Sequence, residues 1–225
     1  MASSNRSSSI LSAHPEVEEN GSSRLYNIYR RTFHRHYEIK SAADQLLFYG
    51  AISDFTPKKP DLILHRGTSN NAPVVAACKF LKLSGHCKMS LGNPEDVNNA
   101  QWEDMTRESL MHSKYRFEMT LPSPQDPSHS ERRSFMWKRT RHVGVDESKP
   151  RLSSRNFKLV DERTNEVVAV FTSDLSLNKC GRMQIRADFG ESFDTMVLLS
   201  YVSIYEKARR RERSSGGGGG GGGGG

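Results

Sequence analysis

The stretch SFDTMVLLSYVSIYEKARRRER, Ser192 to Arg213, decides how this chain is read, because its most apolar segment runs directly into a cluster of arginines. From Phe193 to Tyr205 it is polar only at Asp194, Thr195, Ser200 and Ser203. As a helix this part is about 20 Å long at ~1.5 Å per residue, whereas a bilayer core needs ~20 residues and ~30 Å. An interfacial helix carries a charged face along its whole length, and this one is apolar nearly all round before it turns basic. A helix that is hydrophobic on most sides belongs inside a protein. The segment reads as a core helix, with a membrane-surface anchor as the second reading and a true span as the last. Ser192 is the expected N-cap, and Asp194 in the first turn complements the helix dipole.

Upstream lies the material that would surround such a helix. The runs YEIKS, LLFYGAISDF, DLILHR, APVVAACKFLKL, HCKMSLG, QWEDMT, YRFEMTL and SFMWKRT are short, several carry β-branched or aromatic residues, and glycine, proline or asparagine separates them. NFKLVDERTNEVVAVFTS is the clearest unit: Phe157 to Asp161 forms one arm, Glu162 to Asn165 the turn, and Val167 to Phe171 the return, a β-hairpin. GRMQIRADFG supplies a last strand with Met183 and Ile185 on one face, and Gly190 turns the chain into the helix. The long polar stretches LPSPQDPSHSERR and VGVDESKPRLSSRN, which flank SFMWKRT, read as surface loops. Trp102, Trp137, Phe135, Phe157 and Phe171 fall in strand-like segments and are expected in the core. This pattern predicts a mainly β domain, a barrel or sandwich, with one helix.

The 225 residues suit one domain with tails: a Ser-rich arm over 1–23, a folded domain over 24–213 and a flexible poly-glycine tail over 214–225. The net charge of +7 points to an anionic partner, lipid headgroups or nucleic acid. Three cysteines, Cys78, Cys87 and Cys180, are an odd count without dense spacing, which argues against a disulfide framework and fits a reducing compartment. The first twenty residues lack the apolar run of a secretory signal. The expected location is intracellular: cytoplasmic, peripheral at a membrane, or nuclear.

The hairpin FKLVDERTNEVVAVF, the strand GRMQI and the terminal helix FDTMVLLSYVSIYEK resemble the end of domains with the tubby C-terminal-like fold, a superfamily that includes the LURP-one-related proteins and the phospholipid scramblases. PDLILHRG, PVVAACKF, FMWKRT and NFKLVDERTNEVVAVF are similar to segments of a group of fungal proteins with that fold. The resemblance covers about Leu25 to Arg213. It implies a closed antiparallel β-barrel of about twelve strands wrapped around a hydrophobic C-terminal helix, in agreement with the pattern above. It also implies phosphoinositide recognition through a basic pair spaced i, i+2 on a strand.

In this sequence the nearest such pattern is WKRTR, where Arg139 and Arg141 would share one strand face and Lys138 the other, with Arg132 and Arg133 just upstream. Two guanidinium groups on one face hold a phosphate by charge-assisted bidentate bonds. A solvated strand edge is the competing reading, and the surrounding tubby motif is absent. The basic helix end, Lys207, Arg209, Arg210, Arg211 and Arg213, docks on anionic lipid or simply complements the helix dipole as a solvated terminus. No aromatic stacking motif interleaves with these arginines, so single-stranded nucleic acid has little support as a partner.

Signals for an enzyme are thin. There is no G-x-S-x-G elbow and no phosphate-cradling glycine loop between a strand and a helix. His34 with His36, and His86 with Cys87, lack the third and fourth ligands of a zinc site. Asp61, Asp161 and Asp194 read as turn and cap residues rather than an acid–base pair. The expectation is a non-enzymatic domain without metal or cofactor that binds anionic phospholipid peripherally. The alternative is a scaffold or regulatory domain that binds protein partners and has no affinity for lipid.

Overall fold

The computed structural model describes residues 23–31, 35–53, 56, 59–82, 84–96, 100–123, 129–148, 150, 152–174, 176 and 178–216. The arm expected over residues 1–23 lies outside the described residues except for Ser23, as do His34 and residues 217–225 of the tail. Twelve strands follow one another: β1 (Arg24–Arg31), β2 (His36–Ser41), β3 (Leu46–Ile52), β4 (Leu62–Arg66), β5 (Val74–Phe80), β6 (Cys87–Leu91), β7 (Gln101–Arg107), β8 (Lys114–Pro122), β9 (Ser130–Arg139), β10 (Phe157–Asp161), β11 (Val167–Ser173) and β12 (Lys179–Ile185). Each pairs antiparallel with its sequence neighbours, and β1 pairs with β12, so the sheet closes on itself and has no edge. One helix, α1 (Glu191–Gly216), ends the chain.

The inward positions follow from the alternation. In β8, Tyr115, Phe117, Met119 and Leu121 are buried while Lys114, Arg116 and Thr120 between them are exposed. Every residue of α1 from Phe193 to Ile204 is buried, which for a helix requires neighbours on all sides. Those neighbours come from around the barrel. Phe193 packs on Phe135 of β9 with ring centroids 5.2 Å apart, and Tyr201 stacks on Phe171 of β11 at 4.0 Å. Trp137 donates its indole N–H to Ser200 Oγ at 3.0 Å, and Tyr37 of β2 donates to Glu206 at 2.7 Å. The apolar stretch is thus the filling of the barrel. Among the described residues no helix is long and apolar enough to cross a membrane.

An even number of antiparallel strands fixes where the helix emerges. β12 finishes at the end where β1 began, so α1 starts there and runs through the barrel to the opposite end. At the entry end Arg24 of β1 donates to Asp194 Oδ2 at 2.5 Å and Arg66 of β4 pairs with Glu191. At the exit end Lys207 donates to the carbonyls of Ser84 and His86 in the β5–β6 turn, and Arg210 to Asp61 and the Ser53 carbonyl in the β3–β4 connection. All turns that follow odd-numbered strands gather at this exit.

Several expectations change in detail. β1, RLYNIYRR, is a strand that the apolar pattern does not reveal, because Arg24 and Arg30 look like surface residues although they lie against Asp194 and Glu206 of α1. Much of LPSPQDPSHSERR is strand: the β8–β9 hairpin pairs Leu121 with Glu131 and Pro122 with Ser130. Ser192 is not the N-cap. The helix begins at Glu191, and the amides of Phe193 and Asp194 donate to the Gly190 carbonyl, with Gly190 at φ +82°. Asp194 is an acceptor for Arg24 and the Tyr26 hydroxyl. The helix also runs on through Ser214, Ser215 and Gly216, three residues past the expected boundary. Trp102, expected in the core, is on the outer wall at 36% exposure.

Gly181 of β12 is required by close approach. It has φ +153°, and a Cβ there would lie 2.1 Å from the Thr172 carbonyl oxygen and 2.5 Å from Phe171 Cζ. Gly181→Ala is expected to push β12 from β11 and destabilise the domain by about 2–3 kcal/mol; urea unfolding with the same midpoint as the parent would refute this.

Candidate functional site

The exit end is the candidate site, because two arginines without an ion-pair partner among the described residues, Arg139 and Arg211, meet there. A cavity of about 470 Å³ opens beside α1, lined by residues of the β7–β8 turn, the β9–β10 connection and the helix itself. That volume is within the usual ~300–1,000 Å³ of ligand sites. Its charged groups are three guanidiniums, Arg139, Arg155 and Arg211, and one carboxylate, Glu212. Its floor is aromatic: Tyr115, Phe157, Tyr201 and Tyr205. A second cavity of about 340 Å³ lies alongside, with Lys82, Arg107, Lys207 and Arg210 in its lining. His112 and Arg211 line both.

Each group has a local reason for its place. Arg139 is the last residue of β9, and its Nη2 donates to the carbonyls of Met111 (3.3 Å) and His112 (3.2 Å) in the β7–β8 turn. Its guanidinium carbon lies 5.9 Å from the Phe157 ring centroid, and its Nε is buried with no hydrogen-bond partner among the described residues. A buried guanidinium N–H without an acceptor costs free energy that an incoming oxygen would recover. Arg155 sits over Tyr205 at 4.5 Å and pairs with Glu212. Arg211 forms no ion pair among the described residues and lies beside the Tyr115 hydroxyl.

The His112 ring reports the sign of the local field. Desolvation, then Arg211, Arg107, Lys207 and Arg139, push its pKa down to about 4. The imidazole is neutral at pH 7, hydrogen-bonded to the Tyr115 hydroxyl (3.2 Å) and to Arg107 Nη1 (3.2 Å). Four cations around one neutral ring describe a mouth that favours anions.

The sequence-derived candidates separate into two groups. Arg139 and Arg211 come together at the mouth. Arg141 does not share a strand face with Arg139, because β9 ends at Arg139 and Arg141 lies in an exposed bend beyond it. Lys138 faces the outer wall, in register with Lys114 and Lys158. Arg132 is held by Glu103 (2.9 and 2.6 Å) and Glu118 (3.0 Å). Arg133, directed inward near the entry end, is buried against Asp161 (3.1 Å) and Glu131, with its guanidinium 4.7 Å from the Phe189 ring. Lys207 and Arg210 anchor the helix to the barrel connections, and Arg209 is paired with Glu206 of the same helix at 2.8 and 2.6 Å. Arg213 is exposed and lines neither cavity.

Arg155, His112 and Tyr115 are the mouth residues that sequence reasoning missed. Arg155 stands in a polar loop with nothing to mark it, and the histidine gains meaning only beside distant cations. Asp61 is more than a turn residue, since it also accepts from Arg210 and from the Phe80 amide (2.8 Å). Asp161 does cap its turn, accepting from the Arg163 amide at 2.8 Å. Among the described residues no three His, Cys, Asp or Glu side chains gather as a metal site. The three cysteines are free and buried, and burial pushes the Cys180 thiol up to about 12, far from a reactive thiolate.

The fold and site define a class: a closed twelve-stranded antiparallel barrel, filled by its own C-terminal helix, with a cationic cavity where the helix leaves. No family model matches the sequence, and no curated protein matches it. Among solved structures the chain is similar to the X-ray structure of a protein from Arabidopsis thaliana, at 9% identity and a TM-score of 0.48, over 82% of this chain and 93% of that one.

Proposed function

We propose that this chain is a non-enzymatic domain of the tubby-like class that binds the phosphorylated headgroup of an anionic phospholipid at the mouth of its barrel. The observation that carries the reading is the convergence of Arg139 and Arg211, 72 positions apart, on one cavity where neither has an ion-pair partner among the described residues. Arg132, Arg133, Arg209 and Arg210 are neutralised by carboxylates, whereas Arg139 and Arg211 keep their charge at the cavity. A phosphate monoester presents the acceptor oxygens that two guanidiniums and the buried Arg139 N–H lack. The aromatic floor accepts the apolar face of a sugar or polyol ring.

The test is flotation of the full chain with vesicles of phosphatidylcholine carrying phosphatidylinositol 4,5-bisphosphate, at low and physiological salt. Wild-type protein is expected to float with the anionic vesicles and to be released as salt rises. Arg139→Ala and Arg211→Ala are each expected to weaken binding about tenfold or more, while Arg141→Ala leaves it within about twofold. Protein that stays in the soluble fraction with every vesicle, or variants that float like the parent, would overturn the reading and leave a protein-binding scaffold as the alternative.

A further inference from the structure

The exit end carries a second feature that a headgroup pocket alone does not explain. Among the described residues four large hydrophobic side chains are exposed: Trp102, Leu110, Met111 and Leu152. Trp102 stands alone on the barrel wall, and single exposed apolar residues are ordinary. The other three are 86%, 76% and 80% exposed, far more than the core side chains a few positions away. Leu110 and Met111 form the tip of the β7–β8 turn, and Leu152 stands on the β9–β10 connection. These are the two segments that bound the 470 Å³ cavity, through Met111 and His112 on one side and Ser154 and Arg155 on the other. Arg139 ties the turn in place by its bonds to the Met111 and His112 carbonyls.

Exposed aliphatic tips beside a cationic cavity match the two layers of a membrane surface. A soluble ligand would need the cavity alone. A partner with negative charge at its surface and hydrocarbon just beneath it meets both features at once. We infer that the exit end docks face-on to an anionic bilayer, with Leu110, Met111 and Leu152 entering the boundary between headgroups and acyl chains on either side of the bound headgroup. This orientation rests on the headgroup reading and extends it from a ligand to a surface. It sets the barrel axis near the membrane normal, with the C-terminal end of α1 next to the lipid and its arginines at phosphate depth.

The experiment separates insertion from headgroup recognition by using a soluble and a membrane-bound form of the same chemistry. Inositol 1,4,5-trisphosphate is titrated calorimetrically into the full chain, and vesicle affinity is measured in parallel with phosphatidylinositol 4,5-bisphosphate. The variant carrying Leu110→Ser and Leu152→Ser changes only exposed side chains that line neither cavity, and its melting temperature serves to check the fold. It is expected to bind the soluble headgroup within twofold of the parent and to lose at least about tenfold of its vesicle affinity. In a second measurement, Leu152→Trp is expected to be quenched by brominated acyl chains when vesicles are added. Equal vesicle affinity of the double variant and the parent, or no quenching at position 152, overturns the insertion. Parent protein that binds vesicles through the apolar tips but ignores the soluble headgroup supports insertion and overturns the headgroup reading. If the parent binds neither probe, both fall together.

Discussion

Glu206→Ala is expected to remove about 3–5 kcal/mol of stability, a large share of the ~5–15 kcal/mol that holds a domain of this size. The Glu206 carboxylate is fully buried where α1 leaves the barrel, and it accepts from Tyr37 (2.7 Å), from Arg209 (2.8 and 2.6 Å) and from Arg210 (3.1 Å), with Arg30 Nε at 3.7 Å. Removing it leaves several cations in a low-dielectric mouth around a missing anion, and Arg210 also anchors the β3–β4 connection through Asp61. Burial by itself would raise the Glu206 pKa, but hydrogen bonds from Arg209 and Tyr37, the Arg209 charge and Arg210 outweigh it and hold the group below the ordinary glutamate value of 4.5. A carboxylate depressed in the folded state stabilises above its unfolded pKa, and that stability is lost as pH falls below about 4.5. His112 acts earlier in the same direction: its folded pKa lies at about 4 against 6.5 unfolded, so the unfolded chain takes the proton first and stability declines between those values. Thermal melts across pH 3–8 should show a shallow decline and then a steep one. His112→Gln should remove the shallow limb and keep the steep one; a flat profile from pH 8 to pH 3 would contradict the assignment of both groups.

The parts of the fold that were legible are those where one physical demand dominates. Phe193 to Tyr205 has no polar side, so only a surrounding protein could accept it, and the alternation of Phe157 to Phe171 around a polar turn permits little but a hairpin. β1 was hidden because Arg24 and Arg30 look like surface residues until Asp194 and Glu206 are brought to them from the far end of the chain. Trp102 failed for the opposite reason: its size suggests core, but in β7 it takes an exposed position while Glu103 and Met105 are buried.

The site was less legible because charge pairing is a property of contacts across strands. Arg132 and Arg139 look equivalent in ERRSFMWKR, but Glu103 and Glu118 neutralise the first, whereas among the described residues the second donates only to backbone carbonyls. One inference was available from topology alone. In an up-and-down barrel of twelve strands a helix after the last strand must emerge where odd-numbered strands end, so the end of β9 and the end of α1 meet at one mouth. The same argument brings the β9–β10 connection to this mouth, but it does not single out Arg155 within it, since which of its residues faces the cavity depends on the shape of the loop.

Tyr201 links this mouth to the core, and its two substitutions should therefore behave differently. The ring is buried among Phe171 (4.0 Å), Trp137 (5.4 Å) and Phe157 (6.2 Å), and the hydroxyl donates to the Arg155 carbonyl at 2.6 Å. Tyr201→Ala leaves a ring-sized void inside a closed barrel whose hydrogen-bonded wall has little freedom to collapse, so a loss of about 3–5 kcal/mol is expected in urea unfolding. Tyr201→Phe keeps the ring contacts and removes only the hydroxyl, and should cost about 1 kcal/mol. That hydroxyl ties the β9–β10 connection, and with it Arg155 and Leu152, to the helix. Tyr201→Phe is therefore expected to release the connection while the barrel stays folded: faster amide exchange over residues 152–156, with β10 and β11 protected as in the parent. Unchanged exchange over 152–156 would mean that the connection is held by its own turn and by Arg155 with Glu212, and that the core does not position the mouth through Tyr201.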